Sequence, residues 1–251
     1  MIHFIGAGPG DPELLTIKGK RLIDSADVII YAGSLVNKEV LAERKPEAEV
    51  YNSAYMTLEE VIEVMKAAEK KGQNVARVHT GDPSVYGAIR EQMDRLEALN
   101  IDYEVVPGVS SFLAAAASMK KEYTLPGVSQ TVILTRMEGR TPVPEKEKIL
   151  SLAKHGATMI IFLSVSKIDV MVRLIQGSYR PDTPVAVVYK ASWPEEKIIY
   201  GTLQTIAEKV KAEGITKTAL VVVGDFLGDT YELSKLYDRN FETEYRKKAE
   251  N

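Results

Sequence analysis

The chain has 251 residues, of which 45% are hydrophobic and 27% are charged, a balance that excludes a disordered, collagen-like or low-complexity protein. Its 32 Lys and Arg residues and 35 Asp and Glu residues leave a formal charge of -3, so we expect no overall attraction to nucleic acid or to an anionic membrane. The absence of cysteine excludes disulfides, thiolate catalysis and Cys-ligated metal centres and gives no support for secretion.

The apolar runs of the sequence have the length of strands. The longest, at residues 159–163 and 219–223, fall far short of the ~20 residues that span a bilayer. The first residues also lack the basic and apolar regions of a signal peptide. The expected compartment is therefore the cytoplasm.

In the first half, short β-branched runs alternate with amphipathic segments, which predicts a mostly parallel sheet covered by helices. A helix is predicted from residue 58, because Thr57 and Glu60 have the spacing of a capping box. A second is predicted after Asp82, an N-cap residue followed by proline, and should extend to about residue 99. Strands are predicted at residues 2–5, 27–31, 49–51, 75–79 and 103–106.

The composition changes beyond residue 106, where an Ala-rich stretch and two Pro-Gly pairs separate two sets of elements. This predicts two α/β domains, an N-terminal one at 1–120 and a C-terminal one at 121–251. A short turn containing Pro194 indicates a hairpin, and hence a mixed sheet, in the second domain. Strands are predicted there at 130–135, 158–163, 184–189, 197–200 and 219–223, and helices at 145–154, 167–176 and 203–213.

A glycine-rich turn follows the first predicted strand, with the sequence GAGPGDP at residues 6–12. Its glycines allow the backbone to approach a ligand closely, and a helix start capped by Asp11 offers N–H groups. A dinucleotide fingerprint is excluded, because Asp11 stands where the third glycine is required and no carboxylate follows the second strand. The turn either binds another ligand or is purely structural.

Two further turns follow the fourth and fifth predicted strands, with TGDPSVY at residues 80–86 and PGVSS at 107–111. Each also has a purely structural interpretation, since Asp82-Pro83 is an ordinary helix start and Ser110 or Ser111 an ordinary cap. In open α/β sheets, however, ligands bind at the carboxyl ends of strands. The three turns are therefore expected to converge and to leave a small-molecule cleft that faces the second domain.

Taken together, four motifs resemble those of the tetrapyrrole methylases: IGAGPGDP at 5–12, GDP at 81–83, VPGVSS at 106–111 and ALVVVG at 219–224. They stand in the family's order and spacing over nearly the whole chain. The resemblance implies an S-adenosylmethionine-dependent methyltransferase that acts on a uroporphyrinogen-derived macrocycle and releases S-adenosylhomocysteine. It also implies a homodimer of two α/β domains with the cofactor cleft between them, and no metal.

The resemblance further implies which residues contact the cofactor. In the second domain, Leu163 departs from the methionine often found there but keeps a similar apolar volume. Judged alone, Leu163 and Ala219 are explained equally well as core residues. The implied contacts are Pro9, Gly81, Asp82, Val85, Ser110 and Ser111 in the first domain, and Leu163, Ala191, Thr218 and Ala219 beyond it.

Two segments, YAGSLV at residues 31–36 and YNSAYMTLEE at 51–60, resemble the precorrin-4 C-11 methyltransferases of cobalamin biosynthesis. Uroporphyrinogen methyltransferases carry an acidic residue where this chain has Ala32, which argues against their activity. The remaining alternatives are methylation of precorrin-2 or precorrin-3, and diphthine synthase, whose glycine loop differs. The expected partner is a small corrin precursor, with or without cobalt, and neither nucleic acid nor a membrane.

Methyl transfer from a sulfonium is an in-line displacement with a neutral leaving group, so it depends mainly on orientation. No catalytic side chain is assigned. His79 is the best placed histidine, although a histidine that closes a strand end is the favoured interpretation. Basic residues should pair with the carboxylates of the macrocycle, and the candidates are Lys18, Arg136, Arg140 and Lys190.

Two hypotheses of other classes stand against a methyltransferase. A nucleotide-dependent oxidoreductase would use the first glycine turn, but the incomplete fingerprint argues against it. A degenerate methylase that only binds a ligand is opposed by the intact Gly81-Asp82 and Ser110-Ser111 pairs.

Overall fold

The computed structural model describes residues 1–247, so the last four residues of the predicted C-terminal domain lie outside the described chain. Two compact units are present. The first comprises Met1–Ser118 together with Lys190–Lys197, and the second comprises Met119–Tyr189 and the chain from Ile198 onward. The sequence-based boundary at 120 cuts the chain once, whereas the first unit also includes this later segment.

The first unit contains a five-stranded sheet in the order β3-β2-β4-β1-β5. All of its strand pairs are parallel, as the alternation of strands and helices predicted. The strands are β1 (Ile2–Gly6), β2 (Val28–Tyr31), β3 (Glu49–Asn52), β4 (Val75–His79) and β5 (Tyr103–Val106), and the helices are α1 (Ile17–Asp24), α2 (Leu58–Lys70), α3 (Arg90–Ala98) and α4 (Ser111–Met119).

Both faces of this sheet are covered, since alternate residues of a strand point to opposite sides. Phe4 packs with Met65 of α2 and Leu96 of α3 on one face. Ile5 packs with Ile23 of α1 on the other. A sheet buried on both faces explains why its strands read as short apolar runs rather than as alternating ones.

Helix α2 begins as predicted with a capping box. The Thr57 hydroxyl accepts a hydrogen bond from the Glu60 N–H at 3.2 Å, and the Glu60 carboxylate accepts one from the Thr57 N–H at 2.7 Å. Replacing Thr57 with alanine is expected to lower the free energy of unfolding by about 1 kcal/mol, measured by urea denaturation. Thr141→Ala, at an exposed loop position, is the control and should change it little. Equal stability of the two variants would contradict the capping role.

The predicted helix from residue 83 is wrong in its first two turns, because α3 begins only at Arg90. Tyr86 and Ala88 have left-handed backbones, with φ of 57° and 50°, which an α-helix cannot contain. Gly87 lies so close to Pro83 that an added Cβ would stand 2.1 Å from the Pro83 carbonyl oxygen. Asp82 therefore begins a compact turn rather than a helix.

The second unit contains a five-stranded sheet in the order β6-β7-β10-β8-β9. The predicted mixed sheet is confirmed, because β6 is parallel to β7 whereas β10 is antiparallel to both β7 and β8. Its elements are β6 (Val132–Arg136), α5 (Ile149–Ala153), β7 (Thr158–Phe162), α6 (Ile168–Ile175), β8 (Pro184–Tyr189), β9 (Lys197–Thr202), α7 (Ile206–Ala212) and β10 (Ala219–Val223).

One predicted helix of this unit is shorter than expected. Residues 145–154 contain a single 3₁₀ turn and then α5, because Lys148 between them is extended, with φ -58° and ψ 142°. The core of the unit lies between the sheet and its helices, with Met171 and Ile175 of α6 packed on Val187 and Val221. Within residues 1–247, no helix combines the length and the apolar character needed to cross a membrane.

Candidate functional site

The three glycine turns of the first unit lie side by side, as the sequence predicted. They follow β4, β1 and β5, which are adjacent strands of one parallel sheet, so their carboxyl ends share one edge. Gly8 and Gly81 exchange two backbone hydrogen bonds, of 3.3 Å from the Gly8 N–H and 2.7 Å from the Gly81 N–H. The turns therefore form one connected backbone surface.

The backbones of these turns are too close for any side chain between them. A Cβ added to Gly108 would lie 2.2 Å from the Gly81 carbonyl oxygen and 2.7 Å from the Gly6 Cα. One added to Gly6 would lie 2.5 Å from the same oxygen. Glycine is required at Gly6 and Gly108 by the lack of space, and at Gly81 by a φ of +62°.

Asp82 joins the second turn to the third. One carboxylate oxygen accepts from the Ser84 N–H at 2.8 Å and the other from the Gly108 N–H at 2.9 Å. Burial acts to raise the pKa of Asp82, but the hydrogen bonds from Ser84 and Gly108 outweigh it and hold the pKa below its ordinary value. An ionised Asp82 therefore fixes the spacing of the two turns.

The other predicted contacts of the first unit lie on or beside these turns. Ser110 is buried, whereas Val85 and Ser111 are half-buried. Ala191, which is buried, belongs to the 190–197 segment of the same unit. Next to it the indole N–H of Trp193 donates to the Pro9 carbonyl at 2.9 Å, a contact that sequence reasoning missed, although a lone tryptophan beside a proline turn was an available signal.

The predicted contacts of the second unit share one edge of its sheet. Leu163 directly follows β7 and Ala219 begins β10, and because these strands are antiparallel the two residues lie at the same edge of the sheet. Leu163 is 70% exposed and left-handed, with φ of 52°, so the alternative that it is a core residue is wrong. Ala219 is buried in the core cluster, and Thr218 before it has a φ of 57°.

Two polar side-chain atoms at the end of β4 are buried without a hydrogen-bond partner among the described residues. They are the Nε2 atom of His79 and the hydroxyl oxygen of Thr80. His79 is 3% exposed and packs beside Phe4. Burial lowers the pKa of His79 to about 3, assisted by the nearby charge of Arg77 and opposed by a backbone hydrogen bond at Gly87. His79 is therefore neutral near pH 7 and a weak proton acceptor.

The turns after β2 and β3 also touch each other. The Ser53 hydroxyl donates to the Tyr31 carbonyl at 3.1 Å, and a Cβ on Gly33 would lie 2.9 Å from the Ala54 side chain. Ala32 precedes Gly33 and is half-buried. The two segments that carry the subgroup resemblance are thus neighbours at the same sheet edge as the glycine turns.

The four basic candidates have different surroundings. Lys18 pairs with Glu104, and Lys190 lies 3.3 Å from a Glu195 carboxylate oxygen. Arg136 donates to the carbonyls of residues 137, 141 and 142, so it stabilises the loop that directly follows it. Arg140 is exposed. Among residues 1–247, no cluster of three or more His, Cys, Asp or Glu could hold a metal ion.

Comparison with known proteins decides the family. The sequence profile of the Tetrapyrrole (Corrin/Porphyrin) Methylases matches residues 1–207. The chain belongs to the tetrapyrrole methylases. The cobalt-precorrin-4 C(11)-methyltransferase of Methanocaldococcus jannaschii is 65% identical over 248 residues, which cover 98% of this chain and 96% of that protein.

Solved structures of other tetrapyrrole methylases share the fold. The crystal structure of a cobalt precorrin-4 methyltransferase, 48% identical, superposes with a TM-score of 0.89 and covers 91% of this chain and 96% of that one. That of a Thermus thermophilus uroporphyrin-III C-methyltransferase complexed with S-adenosylhomocysteine is 29% identical, with a TM-score of 0.72 and coverage of 90% and 92%. The two-domain α/β class predicted from the sequence is confirmed.

The glycine turns of this tetrapyrrole methylase can be tested for their fit to a nucleoside-like ligand such as S-adenosylhomocysteine. Gly6 and Gly108 pack directly on the Gly81 carbonyl, so the three turns form one closely packed backbone edge. A polar ligand would also supply the partner that the buried Thr80 hydroxyl lacks in the described chain. The residues present therefore fit a polar nucleoside-like ligand at this edge.

Proposed function

We propose that this protein is the S-adenosylmethionine-dependent methyltransferase that methylates C-11 of cobalt-precorrin-4 or precorrin-4 in cobalamin biosynthesis. The observation that carries the proposal is the 65% identity, over 98% of the chain, to a cobalt-precorrin-4 C(11)-methyltransferase. The paired turns that contain Ala32 and Ala54 support it, because they bring the subgroup motifs to the edge where the glycine turns lie.

The methyl donor supplies an electrophilic methyl group on a sulfonium, and the chain supplies orientation. Asp82 fixes the second and third turns, and the Gly8–Gly81 hydrogen bonds fix the first to the second. A rigid set of turns would position the bound methyl donor, and such positioning of reactants can lower an activation barrier by ~7–11 kcal/mol. A neutral leaving group needs no acid, and we assign no catalytic side chain.

We propose as cofactor contacts the ten residues that the family resemblance implies. In the first unit their support is the convergence of the three turns and the buried position of Ala191. In the second unit it is the exposure of Leu163 at the sheet edge that Ala219 shares. The ten are Pro9, Gly81, Asp82, Val85, Ser110, Ser111, Leu163, Ala191, Thr218 and Ala219.

We also propose that the enzyme is a cytoplasmic homodimer with a small corrin precursor as its substrate. A net charge of -3 favours neither nucleic acid nor an anionic membrane as a partner. Other tetrapyrrole methylations, diphthine synthesis and a non-catalytic binding role remain the alternatives. Each predicts a different outcome in a direct assay.

The assay incubates the purified protein with S-adenosylmethionine and, separately, cobalt-precorrin-4, precorrin-4 and uroporphyrinogen III. We expect one methyl group to be added at C-11 of one or both precorrin-4 forms, identified by mass and by NMR, and no turnover of uroporphyrinogen III. S-adenosylhomocysteine at a hundred times its Kd should stabilise the fold by about 2.7 kcal/mol.

Different failures of this assay have different meanings. Turnover of uroporphyrinogen III, or methylation at another carbon, would contradict the choice of substrate but not of cofactor. Stabilisation by S-adenosylhomocysteine without turnover would favour the binding role. Stabilisation by NAD instead would overturn the cofactor itself.

A further inference from the structure

The segment at residues 190–197, here called the Trp193 strap, joins β8 to β9 but belongs to the first unit. Lys190 and Ser192 are both left-handed, with φ of 48° and 68°. Such backbones are unfavourable for residues with side chains and persist only where the surroundings enforce them. The strap is therefore held in its shape by its contacts.

Those contacts converge on the first glycine turn. The Trp193 indole N–H donates to the Pro9 carbonyl at 2.9 Å, and the Asp11 N–H donates to the Ser192 hydroxyl at 3.1 Å. Between these two bonds the indole ring lies against Gly10, where an added Cβ would stand 2.1 Å from the ring. Backbone groups on both sides of Gly10 are thus bound by strap side chains.

Contacts of Glu196 and Lys190 also stabilise the strap. One carboxylate oxygen of Glu196 accepts from the Ser192 N–H and from the Ser118 hydroxyl, both at 2.6 Å. The Lys190 ammonium lies 5.0 Å from the centre of the Trp193 ring, within the range of a cation–π contact. The indole is therefore a fixed part of the strap rather than a mobile surface group.

We propose that Trp193 is a positioning residue, which sets the affinity for the methyl donor by holding the Pro9-Gly10-Asp11 turn. The inference rests on the proposed function, because Pro9 on the turn and Ala191 on the strap are both proposed cofactor contacts. Trp193 acts through these neighbours. As the one tryptophan of the chain, it is also an intrinsic reporter of ligand binding at the turn.

The test compares Trp193→Phe, which keeps an aromatic ring but lacks the N–H, with Trp193→Ala. For Trp193→Phe we expect the Kd of S-adenosylhomocysteine to rise about three- to tenfold, the effect of one neutral hydrogen bond. For Trp193→Ala we expect at least about thirtyfold, since ring packing is also lost. The KM of the methyl donor should rise by the same factors. The kcat and the KM of the macrocycle should stay within twofold of their wild-type values.

Tyr245→Ala is the matched control, because Tyr245 is an aromatic residue that is 97% exposed. This variant should bind S-adenosylhomocysteine with the wild-type Kd. In the wild-type protein, the tryptophan emission should change saturably with the Kd that calorimetry measures. The phenylalanine variant remains informative if the alanine variant fails to fold.

Wild-type Kd in folded Trp193→Phe and Trp193→Ala would overturn the positioning role, and so would a fall in kcat without a change in the KM of the methyl donor. Failure of the wild-type protein to bind S-adenosylhomocysteine would instead contradict the proposed function. The two failures are therefore distinguishable.

Discussion

Replacing Gly108 with alanine is expected to abolish binding of S-adenosylhomocysteine, with a loss of at least about 100-fold in affinity. The new methyl group would lie 2.2 Å from the Gly81 carbonyl and 2.7 Å from the Gly6 Cα. Both are backbone atoms that cannot move aside as a flexible side chain can. The three turns must therefore separate, and the Asp82 bond to the Gly108 N–H must be disturbed. Isothermal titration calorimetry measures the loss.

Gly177→Ala is the control for this substitution. It makes the same chemical change at an exposed site where, among residues 1–247 and apart from its chain neighbours, no atom lies within 4 Å of the added Cβ, so the affinity for S-adenosylhomocysteine should match that of wild type. Circular dichroism would establish that the Gly108→Ala protein remains folded. Wild-type affinity in a folded Gly108→Ala protein would show that the contact between the turns does not shape the cofactor site.

The second large effect is on the pH dependence of stability, through His79. Burial lowers its pKa from 6.5 to about 3 in the folded protein. Between pH 6.5 and about pH 3, His79 binds a proton in the unfolded chain but not in the folded protein. The free energy of unfolding therefore falls by about 1.4 kcal/mol for each pH unit of acidification. Above pH 6.5 both states are neutral and this contribution is absent.

His79→Gln removes this titration and retains a polar side chain. Between pH 7 and pH 5, the wild-type protein is expected to lose about 2 kcal/mol more stability than the variant, measured by urea denaturation at each pH. His155→Gln, at an exposed position, should lose as much as wild type. Parallel loss in the wild-type and His79→Gln proteins would mean that His79 is not kept neutral by the fold.

Local sequence patterns were sufficient to predict those features whose determining residues all lie within one short segment. Thr57 and Glu60 predict the start of α2 because both partners of the capping box lie in the same turn. The three glycine turns were located for the same reason, since only glycine tolerates such close backbone approach. Their convergence also followed, because parallel strands place their carboxyl ends at one edge.

Two features of the first unit were not predictable in this way. The start of α3 is displaced to Arg90 because Gly87 packs on Pro83 while Tyr86 and Ala88 adopt left-handed backbones. Local propensity favours a helix after Asp82-Pro83, but the packing of this turn overrides it. The bond between Asp82 and the Gly108 N–H likewise joins two turns that are 26 residues apart.

The sequence by itself determined the α/β class, the parallel first sheet and the glycine turns at its edge, because periodicity and backbone sterics act within a few residues. Only the tertiary structure decided that Trp193, 184 residues after Pro9, holds the first turn, and that His79 is buried and neutral. Pairing and desolvation depend on which segments the fold brings together, and no local pattern of residues records that choice.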